Sequence, residues 1–390
     1  MPENRAAYLM GEKVRPLAVK PAPYPTPGSN QLLVRVTAVA VNPIEYIKQD
    51  LGGLLYGWVR CPHVLGSDVA GTVVEVGRPL LSSEEEEEEE EEGVAGKKRL
   101  FFRPGDRVVG HALGSEKKFN DPAMGAFQHY VLLQARMVAP IPDALSFERA
   151  AKDQLALRHP VVAGDGGGND ENKKEKAEKE TLLIWGGSTS VGCNAIQLAC
   201  AAGYEVVTTC SPRNFDLVKS LGTAAAFDYR SGNPNGTAVS EIVRFCQGKK
   251  VVGALSIGSD AGRGCVEVLR QVPSERGSSR RFLSRVSYPT PENKDAGLPA
   301  RIWCMLSFSV WLWVQRVRHG IRSNVVVGTT LEGNEVGTAI YAGFLPRALA
   351  TGRFVAAPEP KVVGKGLEFV HTALDRLRRG VSAKKLVAEI

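Results

Sequence analysis

The distribution of apolar positions changes character partway along the chain. In the first part it alternates in short runs. Residues 31–41, QLLVRVTAVAV, are alternating and β-branched, which predicts a strand. Asn42-Pro43 ends it, because proline disfavours continuation and asparagine suits a turn. A short helix is expected over Ile44–Gln49. Glycine turns that feed strands then recur. His63–Gly71 precedes a strand over Thr72–Gly77, Pro104-Gly105-Asp106 precedes one over Arg107–Gly110, and Gly125–Val131 reads as one more. Many short strands separated by glycine turns predict a β-barrel-like first domain.

From Thr181 onward, short apolar runs alternate with helical patterns. Thr181-Leu182-Leu183-Ile184-Trp185 reads as a strand buried on both faces, Gly186–Gly192 as a turn, and the residues to Ala199 as a helix. Strands are expected at Glu205–Thr209, Ala224–Phe227 and Val251–Ile257, with helices at Ser211–Leu221 and Thr237–Cys246 between them. Fifth and sixth strands are expected at Arg281–Val286 and Val325–Val327, while Ser287–Arg322 reads as irregular. This alternation predicts an α/β fold with a doubly wound parallel sheet. Leu331–Gly352 and Gly366–Arg379 read as helical, and Lys385–Ile390 as a last strand returning to the first domain. The expected boundaries are 1–150, an irregular linker over 151–180, the α/β domain over 181–335 and the return over 336–390.

Composition adds few exclusions. With 390 residues, 43% hydrophobic and 23% charged, the chain is an ordinary globular sequence long enough for two domains. A net charge of +7 comes from scattered Lys and Arg, with some crowding at Arg276–Arg285 and Arg316–Arg322 and no nucleic-acid motif. Seven cysteines without a C-x-x-C pair argue against a disulfide framework and point to a cytoplasmic setting. MPENRAAYLM carries no apolar signal region. Ile302–Val314 is strongly apolar but too short to span a bilayer, so it reads as a buried or interfacial segment. No nucleic-acid or membrane partner is expected, and the chain is expected to be a monomer or homodimer. Glu84–Glu92 and Gly164–Lys179 read as a solvated acidic loop and a flexible linker.

The candidate chemistry starts at Gly186–Gly192. A strand, a glycine turn and a helix in succession let the backbone approach a pyrophosphate at a helix N-terminus, although Ser188, Thr189 and Ser190 stand where glycines often do. The next strand ends in Cys210-Ser211-Pro212-Arg213-Asn214. Arginine with hydroxyl and amide neighbours suits a ribose 2′-phosphate, hence NADP(H), whereas an acid would select NAD. Ser211 can also cap the following helix, with Pro212 at its first position.

Several motifs in family order resemble the medium-chain dehydrogenase/reductase superfamily, and within it the zinc-independent fungal trans-enoyl reductases and ToxD-like oxidoreductases. They are Asn42-Pro43, HVLGSDVAGTVVEVG at 63–77, PGDRVVG at 104–110, GAFQHYV at 125–131, LLIWGGSTSVG at 182–192, SPRNFDLVKSLG at 211–222 and VVGKGLEFVHTALDRLRRGVSAKKLV at 362–387. The resemblance implies a GroES-like catalytic domain built from both chain ends and a Rossmann domain between them. It also implies reduction of a double bond conjugated to a carbonyl by hydride from NADPH. By position, Ser188–Val191 would hold the pyrophosphate and Ser211–Asn214 the 2′-phosphate, and Tyr229 would stack near the adenine. Val381-Ser382 and Asn42, Pro43, Ile44 and Glu45 would line the nicotinamide. Tyr46 and Tyr56 are the candidate proton donors. No metal is expected: the zinc positions of the family hold Asn42-Pro43-Ile44-Glu45 and Gly66-Ser67-Asp68, and Cys61 with His63 would supply only half a site. The apolar helix that follows Glu148–Ala151 in the family is replaced by Lys152-Asp153-Gln154 and a charged stretch. The implied substrate is a small-molecule or carrier-tethered enoyl compound, the carrier belonging to a polyketide synthase. The alternatives are a quinone reductase of the same superfamily and a catalytically impaired NADPH-binding accessory protein.

Overall fold

A computed structural model describes residues 2–78, 101–151, 180–230, 237–258, 261–272, 281–287, 297–326 and 328–390. The chain divides into two compact units, one formed by Met1–Arg158 with Gly328–Ile390 and the other by His159–Val327.

The first unit opens with strands β1 (Asn4–Leu9), β2 (Ala18–Ala22) and β3 (Gln31–Ala40), followed by helix α1 (Pro43–Leu55). Asn42 and Pro43 act as expected at the end of β3. Asn42 precedes the helix in an extended conformation, and Pro43 takes the first turn, where its missing N–H costs nothing. The helix runs beyond the expected Gln49, with a break in helical geometry at Leu51. Strands β4 (His63–Val64), β5 (Asp68–Val76), β6 (Arg107–His111), β7 (Tyr130–Gln134) and β8 (Val138–Pro140) and the short helix α2 (Phe147–Ala151) follow. Strand β5 therefore starts at Asp68, four residues before the expected Thr72. The strand expected over Gly125–Val131 begins only at Tyr130, with Gln128 making an isolated bridge to Ala6.

The second unit holds β9 (Thr181–Trp185), helix α3 (Ser190–Ala201), β10 (Glu205–Cys210), α4 (Phe215–Ser220), β11 (Ala225–Asp228), α5 (Thr237–Phe245), β12 (Val251–Ser256), α6 (Ala261–Gln271), β13 (Phe282–Arg285), α7 (Leu298–His319) and β14 (Arg322–Val325). The strands form one parallel sheet in the order β11-β10-β9-β12-β13-β14, the doubly wound α/β arrangement. Two expectations fail here. The region read as irregular contains the 22-residue helix α7. The sixth strand is Arg322–Val325, a polar edge strand that ends where the expected Val325–Val327 begins.

The chain then re-enters the first unit through short helices α8 (Glu335–Thr338) and α9 (Leu345–Ala350), with a wider π-type turn at Ala339–Phe344 between them. Strand β15 (Pro360–Lys365), unanticipated, precedes α10 (Glu368–Arg379) and β16 (Lys385–Glu389). Strand β16 pairs parallel to β15 and antiparallel to β3, completing a seven-stranded sheet ordered β15-β16-β3-β5-β6-β8 with β7 also on β3. Val370, Ala373 and Leu374 of α10 close the same core as Val34, Val39, Val69 and Phe127, so both chain ends share one apolar interior. Glu84–Glu92, Gly164–Lys179 and Lys152-Asp153-Gln154 lie outside the described residues.

Candidate functional site

The parallel register of the second unit puts several chain crossings on one edge of the sheet. Trp185 at the end of β9 pairs with Thr209 and with Ser256, and Cys210 pairs with Asp228. The carboxyl ends of β9, β10, β11 and β12 are therefore level. The chain runs outward from β9 to β10 and β11 on one side and from β12 to β13 and β14 on the other, so the strand order reverses between β9 and β12, the position at which open α/β sheets bind ligands.

The turn after β9 is built by its glycines. Gly186 has φ +94°, a conformation that L side chains rarely adopt. A Cβ on Gly192 would stand 2.3 Å from the Gly186 carbonyl oxygen, so only glycine lets the first turn of α3 press against the loop. Thr189 caps that helix: its Oγ1 accepts from the Gly192 N–H at 3.0 Å and donates to the Gly186 carbonyl at 2.8 Å. Gly186 N–H in turn donates to Thr209 Oγ1 at 3.1 Å. Gly187 and Val191 are buried, Thr189 is exposed, and Ser188 and Ser190 are half-buried at the surface of the turn.

Ser211–Asn214 lies beside this turn. Asn214 Nδ2 donates to Ser188 Oγ at 3.2 Å, joining the two loops. Ser211 does not cap the helix with its side chain. Pro212–Asn214 form a 3₁₀ turn before α4 starts at Phe215, and the Ser211 hydroxyl lies 3.5 Å from the Tyr229 hydroxyl. Pro212 and Arg213 are exposed. Arg230, missed in the sequence, stacks its guanidinium 5.2 Å from the Tyr229 ring centroid and donates from Nε to the Tyr229 hydroxyl at 3.0 Å. Its adjacency to Tyr229 was the signal available. Asp228 is turned to local use, accepting from the Arg230 N–H at 2.9 Å. The second unit thus brings its expected residues to one end of the sheet, with Gly187, Val191, Ser211 and Asn214 buried and Thr189, Pro212, Arg213 and Tyr229 at the surface.

In the first unit the residues around Asn42 make a buried ionic cluster instead of an open lining. Asn42 N–H donates to Glu45 Oε2 at 2.6 Å, Ser67 Oγ donates to Glu45 Oε1 at 2.9 Å, and Asn42 Nδ2 donates to Asp68 Oδ2 at 2.9 Å. The Lys385 ammonium donates to Asp68 Oδ2 at 3.0 Å and to Asn42 Oδ1. Asp68 Oδ1 lies 4.0 Å from His111 Nδ1. Asn42 and Glu45 are within 1% of full burial, so their side chains hold the corner of the unit and present no surface to a ligand. Pro43 is exposed and Ile44 half-buried. Burial, then the neighbouring Asp68, pushes the Glu45 carboxyl up, while Lys385, Ser67 and Lys48 draw it back. Ser67, Asp68 and Lys385 as a set were not anticipated, because Lys385 meets Asp68 from 317 residues away.

This cluster occupies the position that the resemblance gives to a catalytic zinc. Its donors do not fit one: an ammonium already serves Asn42 and Asp68, and no three His, Cys, Asp or Glu side chains among the described residues gather as a ligand set. Cys61 is exposed and His63 buried. Burial, with the Lys48 charge beside it, lowers His63 to about 4.

Neither tyrosine joins the cluster. The Tyr46 ring faces the Arg378 guanidinium at 5.3 Å, and Arg378 donates to Gln49 Oε1 at 2.6 Å, so Tyr46 braces α1 against α10. Burial raises its hydroxyl pKa, which Arg378 partly offsets. Tyr56 caps the C-terminus of α1, packs edge-on to Trp58 at 5.4 Å and receives the Lys48 ammonium 5.2 Å from its ring centroid. Val381 and Ser382 are exposed on the loop between α10 and β16.

Residues 28–143 match the alcohol dehydrogenase GroES-like domain family. Over the full length of both chains, the protein is 40% identical to the dehydrogenase pigH of Monascus ruber and 31% identical to the trans-enoyl reductase tndF of Aspergillus flavipes. Among solved structures, mycobacterial Rv1454c complexed with NADPH is similar over 99% of this chain and 100% of its own, with a TM-score of 0.65 at 20% identity.

Proposed function

The chain belongs to the medium-chain dehydrogenase/reductase superfamily of oxidoreductases, beside fungal dehydrogenases and trans-enoyl reductases, and on that premise we propose that it is an NADPH-dependent reductase of α,β-unsaturated acyl or carbonyl compounds. The observation that carries the cofactor half is the rim at the carboxyl ends of β9–β11. The buried Asn214 is bonded to Ser188 and the buried Ser211 lies against Tyr229, with Arg213 and Arg230 exposed beside them, and Asp228 accepts from the Arg230 N–H of its own turn. In this reading Gly186–Gly192 and the N-terminus of α3 bind the pyrophosphate. Arg213 pairs with the 2′-phosphate, and Tyr229, braced by Arg230, stacks on the adenine. NADPH supplies the hydride.

The substrate half rests on the trans-enoyl reductase relative. Carbonyl polarisation is assigned to hydrogen bonds and not to zinc, since the Asn42–Asp68 position is served by Lys385. Of the two tyrosines, Tyr56 is assigned proton delivery to the α-carbon, because Tyr46 is held against Arg378 at the α1–α10 contact. Cofactor contact by Pro43, Ile44, Val381 and Ser382 belongs to the same proposal, with Asn42 and Glu45 fixing the α1 corner from behind. An enoyl thioester on a polyketide carrier domain falls within the substrate class.

The test is NADPH oxidation with a panel of enoyl thioesters, enones and quinones. Turnover of enoyl compounds is the expected result. Oxidation by quinones alone would move the protein to the quinone reductases, and tight NADPH binding with no turnover would make it an accessory protein.

A further inference from the structure

Helix α7 has two apolar faces where a surface helix of a globular protein has one. On the first, Phe308 and Leu312 are buried in the second unit's core, and Phe308 stacks on Trp311 at 5.4 Å. On the other, Trp303, Leu306, Val310, Trp313 and Val317 follow one another at spacings of three, four, three and four residues. They are 72%, 57%, 62%, 64% and 65% exposed. At 1.5 Å per residue this ridge runs for about 20 Å. Two largely bare tryptophans and three aliphatic side chains in one row exceed the scattered apolar exposure of an ordinary soluble surface.

The charges decide what covers it. Leu298–His319 contains Arg301, Arg316 and Arg318 and no acidic residue. Arg316 and Arg318 flank Val317 at about 100° to either side, so both exposed side chains border the ridge. Exposed Arg322 follows just beyond the helix. A second copy of the helix laid parallel would set arginines near arginines, and in either direction the helix itself has no carboxylate to offer them. An anionic bilayer surface meets both demands: its headgroups pair with the arginines, whose aliphatic stems lie along the apolar boundary, and tryptophan favours that boundary.

We propose that α7 is a peripheral membrane-binding element, lying in the plane of an anionic lipid surface with the Trp303–Val317 ridge inserted below the headgroups. It does not cross: no helix among the described residues is long and apolar enough to do so. The proposal departs from the sequence expectation of no membrane partner and keeps that of an interfacial segment at Ile302–Val314. The inference stands apart from the proposed activity and uses none of the cofactor-rim residues.

The experiment is flotation of the full chain with phosphatidylcholine vesicles, with and without phosphatidylserine, alongside sedimentation velocity without lipid. The protein should float only with the phosphatidylserine vesicles and be released by salt. Leu306→Glu/Val310→Glu and Arg316→Glu/Arg318→Glu should each weaken vesicle binding about tenfold or more, with unchanged circular dichroism. Absence of flotation, or flotation that survives Leu306→Glu/Val310→Glu, overturns the proposal. So does a dimer that this pair disperses in a protein that ignores vesicles, which would assign the ridge to a second copy.

Discussion

Arg213 is exposed at the mouth of the glycine turn, one residue from the Asn214 that ties the two loops together. A guanidinium there adds a charge-assisted bond to a 2′-phosphate and nothing to a 2′-hydroxyl. Arg213→Ala should therefore weaken NADPH by about 1.5–3 kcal/mol and leave NADH nearly unchanged, read by titration of both cofactors. Equal losses would sink the NADPH assignment. His63 offers a second single-residue test. Its pKa in the folded protein is lowered to about 4, and its Nε2 is buried without a hydrogen-bond partner. A depressed imidazole contributes stability that is fully present above its unfolded value near 6.5 and is lost as pH falls towards 4. The loss over that window is at most about 3 kcal/mol. Glu45, raised by burial, acts in the opposite sense, favouring the fold on the acid side. The unfolding midpoint should drop between pH 6.5 and 4, and His63→Gln should flatten that slope; an unchanged slope would remove His63 as its cause.

At the level of elements, the ionic cluster pins β16 to the corner between α1 and β5. Lys385 and Asp68 are 5% and 0% exposed, so removing the cation strands a buried carboxylate. Lys385→Met should cost about 3–5 kcal/mol, and Lys385→Met/Asp68→Asn should recover much of it, measured as a thermal-melt double-mutant cycle. Strict additivity would show that the two groups do not interact. The same elements mark what a linear reading can reach. Strands β9, β10 and β12 were legible because a parallel strand covered on both faces must be an apolar run. Strands β14 and β15 were not, lying at sheet edges, where burial imposes little pattern. Helix α7 was misread as irregular because apolar residues on opposite faces cancel the helical period. In the site, the glycine turn and the Ser211–Asn214 segment were legible through local backbone demands. The Lys385–Asp68 contact was not, since it joins residues that only the finished sheet brings together.

At the scale of the molecule, the two units differ in how they are written into the chain. The second is one continuous stretch, whereas the first is assembled from both ends. In its large sheet, Ala38, Val39 and Ala40 of β3 pair with Glu389, Ala388 and Val387 of β16. That makes the protein's birth asymmetric. At the usual translation rate of about 5–20 residues per second, a ribosome completes β3 on the order of twenty seconds to a minute before β16 exists. For that interval Ala38–Ala40 of β3 have no neighbour on the side away from β5 and the Asp68 carboxylate no ammonium, while the intervening α/β unit can already close its own sheet. The nascent chain therefore carries its α/β unit finished and its two-ended unit waiting. The five residues of β16 are what cover Ala38–Ala40 of β3 and carry the sheet on to β15, ending the exposure of a strand edge of the kind through which chains aggregate.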